Sequence, residues 1–226
     1  MERTKAKEII DSGVLGKIIS AHAMCWFYKP DDYFDIPWHR KKGAGPIIIN
    51  AIHDIDSMRF LFGDLLSIQA VHANNARGYE VEDTAVALLT FESGIISTLT
   101  VSDAIVSPFN WEMTSAENPD YPVEVGFSCL VGGTKGCLSI PSLEVKTNAS
   151  HYSWKEKIIT KQNSIEKKSP LTAQIENFHK VVIDSAEPKV SGREGLETLK
   201  ITLALKAASR TGNTIILQDF DPTIVD

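Results

Sequence analysis

The chain has 226 residues, 43% of them hydrophobic and 23% charged, with a formal net charge of −6 at pH 7. This ordinary globular composition excludes a disordered chain, a collagen and a coiled coil. The acidic balance argues against nucleic-acid binding and against a polybasic membrane patch. At ~100–200 residues per domain, the length predicts one large domain or one and a half small ones.

In chain order, the first part of the sequence predicts a helix over 4–12, a strand over 17–28, a polar loop over 29–45 and a helix over 46–62. Pro46 suits the first position of the last helix, and Gly63 suits the residue after its end. We expect its buried stripe to consist of Ile48, Ile52, Ile55 and Phe62. We expect its polar face to consist of Asn50, His53, Asp54 and Ser57, spaced i, i+3, i+4 and i+7.

The middle of the chain changes to the alternating pattern of strands. Leu66, Ile68 and Ala70 alternate with polar neighbours. Further strands are predicted over 83–91, 95–101, 109–115, 123–131 and 135–140. Because no helical pattern separates these strands, they indicate an antiparallel sheet.

The end of the chain returns to helices, predicted over 170–185 and 192–210, followed by a short strand over 214–217. The buried stripe of the last helix is predicted to be Leu196, Leu199, Leu203 and Ala207. The expected fold class is therefore α+β: a large open, mainly antiparallel β-sheet with helices packed on one face.

Three cysteines and the hydropathy pattern bear on the compartment. Cys25, Cys129 and Cys137 are odd in number, far apart and without a C-x-x-C pair, so they predict neither a disulfide framework nor a zinc site. No apolar run approaches the ~18 residues of a membrane span, and the first residues lack the apolar core of a signal peptide. We therefore expect a cytoplasmic protein without a bound metal or a membrane contact.

Two glycine clusters in the sequence are candidates for a phosphate-binding loop. Residues 43–48 begin like a dinucleotide fingerprint but lack its third glycine and follow a basic loop. Residues 132–136 lack the P-loop spacing and lie between two predicted strands. We interpret both as turns, and we expect this chain alone to bind no nucleotide cofactor.

His53 is the most informative single residue of the sequence. It follows Asn50 by three positions on the polar face of a helix that opens from a glycine-rich loop. An imidazole titrates near neutrality, so it can accept the proton of a substrate hydroxyl and return it. The alternative is a surface histidine that hydrogen-bonds a neighbour.

The loop ahead of this helix mixes aromatic and cationic side chains: Lys29, Tyr33, Trp38, His39 and Arg40. Lysine and arginine bind anions, and tryptophan packs on the faces of sugars. The mixture therefore suits a small polyhydroxylated or carboxylated ligand. The alternative is a solvated loop with its cations exposed.

Four segments in order resemble the C-terminal domain of the Gfo/Idh/MocA family, the group of glucose–fructose oxidoreductase and inositol dehydrogenase. They are GVLGKIISAHA (13–23), GAGPIIINAIHDIDSMRFLFGD (43–64), VEDTAVALLTFESGIISTLTV (81–101) and SGREGLETLKITLALKAASRTGNTIIL (191–217). The second segment, a glycine-rich loop followed by a histidine-bearing helix, is the most specific of the four. The resemblance covers nearly the whole chain.

The resemblance implies an NAD(P)-dependent oxidoreductase of sugars, cyclitols or related hydroxyl compounds. It implies that His53 relays the hydroxyl proton and that Asn50 orients the substrate. It also implies a homodimer or tetramer that assembles through a face of the sheet. One departure is Ile49, which stands where better-known members carry an aspartate four residues before the histidine.

A second departure concerns the family's Rossmann domain, because no segment of this chain resembles it. We expect residues 1–226 to form one substrate-binding and dimerisation domain, with NAD or NADP held by a Rossmann domain encoded upstream of Met1. Two alternatives are a non-redox sugar-binding or assembly module, and a lyase or isomerase that uses His53 as its base. The substrate itself stays open.

Overall fold

The structure is a computed structural model that describes residues 2–166 and 169–224, and an open nine-stranded sheet forms its centre. The strands are β1 (Ile18–Trp26), β2 (Leu65–Ala73), β3 (Thr84–Phe91), β4 (Ile96–Ser102), β5 (Cys129–Gly133), β6 (Gly136–Ile140), β7 (Glu144–Asn148), β8 (Ile158–Gln162) and β9 (Ile215–Ile216). Their spatial order is β8-β7-β6-β5-β1-β4-β3-β2-β9.

Every neighbouring pair of strands is antiparallel except β1 and β4, which run parallel. A parallel pair needs a crossover. The crossover here contains a helix and the antiparallel strands β2 and β3. Strand β4 then pairs with β1. The predicted α+β class with a mainly antiparallel open sheet is confirmed.

The described helices are α1 (Glu2–Asp11), α2 (Ile52–Phe62), α3 (Trp111–Ser115), α4 (Pro170–Asp184) and α5 (Gly192–Thr211). α5 packs against α2 and β2, and α1 packs against α2. The core between these helices and the sheet contains fully buried Ile55, Ile68, Leu89 and Leu205. Such burial of aliphatic side chains supplies the main driving force for folding.

Two predicted strands differ from the structure. Residues 109–115 contain helix α3, because Asn110 accepts a hydrogen bond from the Met113 amide at 2.9 Å and so caps a helix start. The predicted strand over 123–131 is irregular until β5 begins at Cys129. Strands β7 and β8 were not predicted.

The predicted buried stripe of α5 is also wrong. Leu196 is 60% exposed, whereas Thr198, Ile201 and Leu205 are buried. Thr198 donates to the Asp56 carboxylate at 3.0 Å, so its hydroxyl is satisfied on the buried side. The prediction selected leucines by type, but a hydrogen-bonded threonine is equally compatible with burial.

The face of the sheet opposite the helices is free of formal charge over its central strands. β1, β2, β3 and β4 contain no Asp, Glu, Lys or Arg. Successive side chains of a strand point to opposite faces. Buried Ala85, Ala87 and Leu89 face the core, so exposed Val86 and Leu88 lie on the helix-free face.

No helix within residues 2–166 and 169–224 is both long and apolar enough to cross a bilayer.

Candidate functional site

At the start of the helix that carries His53, the carboxylate of Glu82 accepts a hydrogen bond from the backbone. The backbone amide of Ile47 donates to Oε1 of Glu82 at 3.2 Å, and Glu82 is buried. Gly45 precedes this point with φ +94, and a Cβ there would lie 2.5 Å from Glu82 Oε1. Burial raises the pKa of Glu82, and hydrogen bonds from the backbone oppose that shift. Glu82 therefore fixes the start of the helix.

The first turn of this helix is a π-helical turn over Ile47–Ala51, and α2 continues from Ile52. A π turn closes i→i+5 hydrogen bonds, so the regular spacing of a single α-helix does not hold across it. Asn50 lies in the π turn, and its Oδ1 is buried with no hydrogen-bond partner among the described residues. π turns are frequent at functional sites.

His53 lies exposed on the first turn of α2. Its carbonyl oxygen accepts a hydrogen bond from the Ser57 hydroxyl at 2.7 Å. Within the part of the chain that the structure describes, no side chain hydrogen-bonds its imidazole. The imidazole of His53 is therefore accessible to solvent.

Asp54 does not lie on the polar face predicted for it. It shares one face of α2 with buried Ala51, Ile55 and Met58, at the i, i+3 and i+4 spacings of a buried stripe, and is 8% exposed. Its carboxyl group hydrogen-bonds the thiol of Cys25 on β1. Burial raises the pKa of Asp54 to about 7, although the charge of Arg3 opposes that shift.

The polar loop folds into two 3₁₀ turns, over Asp31–Asp35 and Pro37–Arg40. The Tyr33 and His39 rings stack with centroids 4.0 Å apart, and His39 Nδ1 donates to the Tyr33 carbonyl oxygen at 2.6 Å. His39 is buried, which differs from a solvated loop. Trp38 packs edge-on against His39, with most of its surface exposed to solvent.

Lys29 is buried beneath this loop, with 7% of its surface exposed. Its Nζ lies 4.8 Å from the centre of the Tyr33 ring and has no hydrogen-bond partner among the described residues. Burial lowers the pKa of Lys29, although the nearby Asp103 carboxylate opposes the shift. A buried ammonium without an acceptor is costly, so this position is strained electrostatically.

Arg77, which no pattern in the sequence indicates, holds the loop to the sheet. Its Nε donates to Oδ1 of Asp103 at 2.8 Å, and its NH2 group donates to the Lys29 carbonyl at 2.7 Å. Its guanidinium also lies 4.2 Å from the centre of the Phe34 ring. Arg77 follows an Asn-Asn-Ala turn, and no spacing in the sequence connects it to Lys29.

The predicted site residues fall into two groups, one in the loop and one at the helix start. One contains Lys29, Tyr33, Trp38 and His39, and the other contains Asn50 and His53 on the helix start. Beneath the loop, burial and the Asp54 charge raise the pKa of Cys25, whereas the Lys29 charge lowers it. Arg40 is exposed at the end of the same turn as His39, and its guanidinium lies 6.0 Å from the centre of the Tyr79 ring.

The start of the histidine helix does not fit a phosphate group, and the described residues contain no cluster that fits a metal ion. A phosphate at the start of the histidine helix would face the Glu82 carboxylate, which already accepts the Ile47 amide. The residues around Gly43 and Gly45 are therefore a carboxylate-anchored turn, in keeping with their interpretation as a turn. Across residues 2–166 and 169–224, no three His, Cys, Asp or Glu side chains are grouped to hold a metal ion.

An open, mainly antiparallel sheet with a histidine-bearing helix packed on one face defines the class of fold. The family model for the GFO/IDH/MocA C-terminal domain matches residues 4–139. The chain therefore belongs to the GFO/IDH/MocA family, as its resemblance to that family predicts.

Two curated relatives show the chemistry found among similar proteins. The chain is 22% identical over 209 residues to 1,5-anhydro-D-fructose reductase of Ensifer adhaerens, a match of 91% of this chain and 58% of that protein. It is 25% identical over 181 residues to D-apiose dehydrogenase of Paraburkholderia graminis, covering 75% and 44%. The chain thus spans about half the length of these relatives.

Among solved structures, the WlbA dehydrogenase of Bordetella pertussis, crystallised with NADH and UDP-GlcNAcA, has the same fold. The TM-score is 0.68 at 22% sequence identity, and the match covers 97% of this chain and 60% of that chain. At this identity the likeness shows the fold alone.

Proposed function

We propose that this chain is the substrate-binding and dimerisation domain of an NAD(P)-dependent oxidoreductase acting on a sugar, cyclitol or related hydroxyl compound. The observation that carries the proposal is the family's histidine helix, with an accessible imidazole at His53 and, one turn before it, a side-chain oxygen of Asn50 that has no hydrogen-bond partner among the described residues. The similar reductase and dehydrogenase act on sugar-type compounds by name, which supports this substrate class.

In this proposal His53 moves the proton. Its imidazole takes the hydroxyl proton of the substrate when the carbon is oxidised and returns it in the reverse direction. Oδ1 of Asn50 accepts a hydrogen bond from a substrate hydroxyl, which satisfies a buried acceptor that otherwise lacks a donor. Ile49 can neither orient the imidazole nor exchange protons, so the relay depends on His53 itself.

The loop residues Lys29, Tyr33, Trp38, His39 and Arg40 form the remaining wall of the proposed site. The exposed Trp38 ring offers a flat apolar surface for a sugar face. The buried Lys29 ammonium offers a donor to a hydroxyl or carboxylate. Tyr33 and His39, stacked on each other, hold the loop in the conformation that places these groups.

A nicotinamide dinucleotide would supply the hydride chemistry. Nicotinamide dinucleotides occur among the similar solved structures. The WlbA dehydrogenase, for example, was crystallised with NADH. Because the start of the histidine helix does not fit a phosphate group and the chain matches the C-terminal domain of the family, we propose that a Rossmann domain outside this chain holds the cofactor.

The test uses the product of the complete reading frame that contains this chain. We expect NAD(P)H absorbance changes with members of a panel of aldoses, cyclitols and sugar acids, and a fall of at least 100-fold in kcat for His53→Gln. His151→Gln, an exposed histidine in the β7–β8 connection, is the matched control and should keep full activity. Full activity in His53→Gln would refute the relay, and the absence of any hydride transfer would refute the oxidoreductase.

We also propose that two copies associate through the helix-free face of the sheet. Its central strands carry exposed Val71, Val86 and Ile96 among threonines and no charged residue. A surface of this kind is typical of contacts between proteins.

We propose the cytoplasm as the compartment of the protein, which the free thiols of Cys25, Cys129 and Cys137 support.

A further inference from the structure

The side chain of Arg77 is enclosed at a point where three segments of the chain meet. It is 9% exposed, and the Asp103 carboxylate that pairs with it is 4% exposed. One arm of its guanidinium donates from Nε to that carboxylate, and the other donates from Nη2 to the carbonyl oxygens of Lys29 and Asp103. The planar fork of an arginine makes such contacts at the same time. Arg77 therefore joins the β2–β3 connection to the end of β4 and to the start of the polar loop.

The backbone at Arg77 is fixed as well as its side chain. Oδ2 of buried Asp83 accepts the amides of Ala76 and Arg77 at 2.9 and 3.0 Å. The amide of Asp83 in turn donates to the carbonyl oxygen of Ala73, the last residue of β2. Buried polar groups with this many partners are held in one arrangement. Arg77 is thus a rigid support built on the sheet, unlike an arginine on the surface.

The first 3₁₀ turn of the polar loop lies against this support. The centre of the buried Phe34 ring is 4.2 Å from the guanidinium carbon of Arg77, within the range of a cation–π contact. Oδ1 of Asp31 lies 3.8 Å from Nη1, although its side chain is otherwise exposed. These contacts precede Trp38 along the loop, so they hold the end of the loop that leads to the proposed ligand contacts.

Lys29 is the residue through which the support reaches a ligand. Its amide donates to the Asp103 carbonyl oxygen at 2.9 Å, and its own carbonyl oxygen accepts from Arg77, so its backbone is held on both sides. Its Nζ has no hydrogen-bond partner in residues 2–166 and 169–224. Ordering a lysine side chain costs conformational entropy. A ligand that meets an ordered lysine avoids that cost on binding.

We infer that Arg77 is a positioning residue that sets the affinity for the substrate, because it holds Lys29 and the first turn of the polar loop in the binding conformation. The inference rests on the proposed function. The contacts of Arg77 lie at strand ends and in the loop rather than on the helix of His53. Its loss therefore weakens substrate binding and raises KM, whereas the proton transfer at His53 keeps its rate.

Hydrogen–deuterium exchange in the 226-residue chain tests whether Arg77 holds the loop. Arg77→Lys keeps a positive charge beside Asp103 but lacks the fork that reaches Lys29 as well. We expect the amides of Tyr33 and His39, which are hydrogen-bonded within the loop, to exchange at least tenfold faster than in the parent chain. The amides of α5 should exchange at the parent rate.

Two further variants control this experiment. Arg210→Lys makes the same substitution at an exposed position of α5, and it should leave exchange of the loop and the kinetics unchanged. Where Arg77→Lys does not fold, Arg77→Gln combined with Asp103→Asn takes its place, because it removes both charges of the buried pair and leaves neither uncompensated. Circular dichroism verifies the fold, and the loop amides of this double variant should exchange equally fast.

The kinetics of the complete reading-frame product test the role in affinity. With a substrate from the sugar panel, Arg77→Lys should raise KM at least tenfold and change kcat by less than threefold. In a Lys29→Met background the same substitution should raise KM less than threefold, because the ammonium that Arg77 positions is gone. A role in general stability alone predicts the same rise in both backgrounds.

The outcomes separate this inference from the proposed function. Loop amides that exchange at the parent rate in Arg77→Lys overturn the inference, and so does an unchanged KM, a fall in kcat at constant KM, or an equal rise in KM with and without Lys29. A complete product that transfers no hydride overturns the proposed function and the role in affinity with it. In that case, the exchange experiment still decides whether Arg77 holds the loop.

Discussion

Asp54 and Lys29 are buried ionisable side chains, and the charges of both shift the pKa of Cys25. Each has its pKa shifted toward its neutral form, because burial penalises the charged form. Asp54 has partners in the Cys25 thiol and the Arg3 charge, whereas the Lys29 ammonium has no hydrogen-bond acceptor among residues 2–166 and 169–224. Buried residues with strongly shifted pKa values cluster at functional sites. The two residues make different predictions about stability.

Asp54→Asn should flatten the pH dependence of stability. The pKa of Asp54 is about 7 in the folded chain and ~3.9 in an unfolded one. Between these values the folded state binds the extra proton, so the contribution of Asp54 to stability is greatest below pH 4 and falls as pH rises toward 7. The loss is roughly 1.4 kcal/mol for each unit of the pKa difference. Urea unfolding from pH 4.5 to 8 measures it, and an equal slope in both proteins would contradict the shift.

Lys29→Met should separate stability from binding. Methionine fills similar volume without a buried charge, so we expect the free energy of unfolding to stay equal or to rise by about 1–3 kcal/mol. We expect sugar or sugar-acid binding, measured by calorimetry, to weaken at least tenfold, which is about 1.4 kcal/mol. Lys29→Ala controls for lost packing. A destabilised Lys29→Met with unchanged binding would show that the lysine is structural.

At the scale of elements, the start of the histidine helix joins a glycine turn, a buried carboxylate and a π turn. Gly45 contacts Val81 and Glu82 so closely that a side chain there would collide with both. Glu82 in turn holds the first amide of the helix. The position of His53 therefore depends on a residue 29 positions further along the chain.

Gly45→Ala should be far more destabilising than Gly43→Ala. Both glycines have φ above +90°, but a Cβ at Gly43 meets open space, whereas a Cβ at Gly45 meets Val81 and the Glu82 carboxylate. The backbone conformation alone costs about 1–2 kcal/mol, which is what we expect at Gly43. The clash at Gly45 adds about 1–3 kcal/mol. Urea unfolding compares the two, and equal losses would argue against the close approach.

The elements themselves were largely predictable, because their patterns are local. The helices over 46–62, 170–185 and 192–210 and the paired strands over 83–91 and 95–101 correspond to observed elements with small differences at their ends. The faces of these helices were less predictable. Asp54 and Thr198 are polar by type but buried, since partners distant in sequence satisfy them. No local pattern contains those partners.

At the scale of the whole molecule, the sheet has one face packed by helices and one face without helices. The helix-free face over β1 to β4 combines exposed Val86 and Leu88 with uncharged polar neighbours. Burial of such apolar surface favours association by about 25 cal/mol per Å² before the entropic cost of joining two bodies. The proposed contact between two copies belongs to this scale.

Val86→Lys combined with Leu88→Lys should convert the 226-residue chain from a dimer to a monomer. Two lysines on one strand face their own counterparts or apolar side chains across the contact, so their burial is costly. Sedimentation velocity at tens of micromolar measures the change. Val125→Lys, in the exposed segment before β5, is the control and should leave the dimer intact. A monomeric parent, or a dimer that survives both lysines, would contradict the proposed face.

The sequence by itself determined the fold class, the order of most elements and the membership of the family, because hydrophobic periodicity and short ordered motifs are local properties of the chain. It also pointed to His53, Asn50 and Lys29 by residue type and spacing. Only the tertiary structure decided which of them are buried, that Glu82 and Arg77 hold them in place, and that α4 and one side of α5 remain uncovered. These properties arise from contacts between residues far apart in sequence, and they depend on how the elements pack rather than on which elements form.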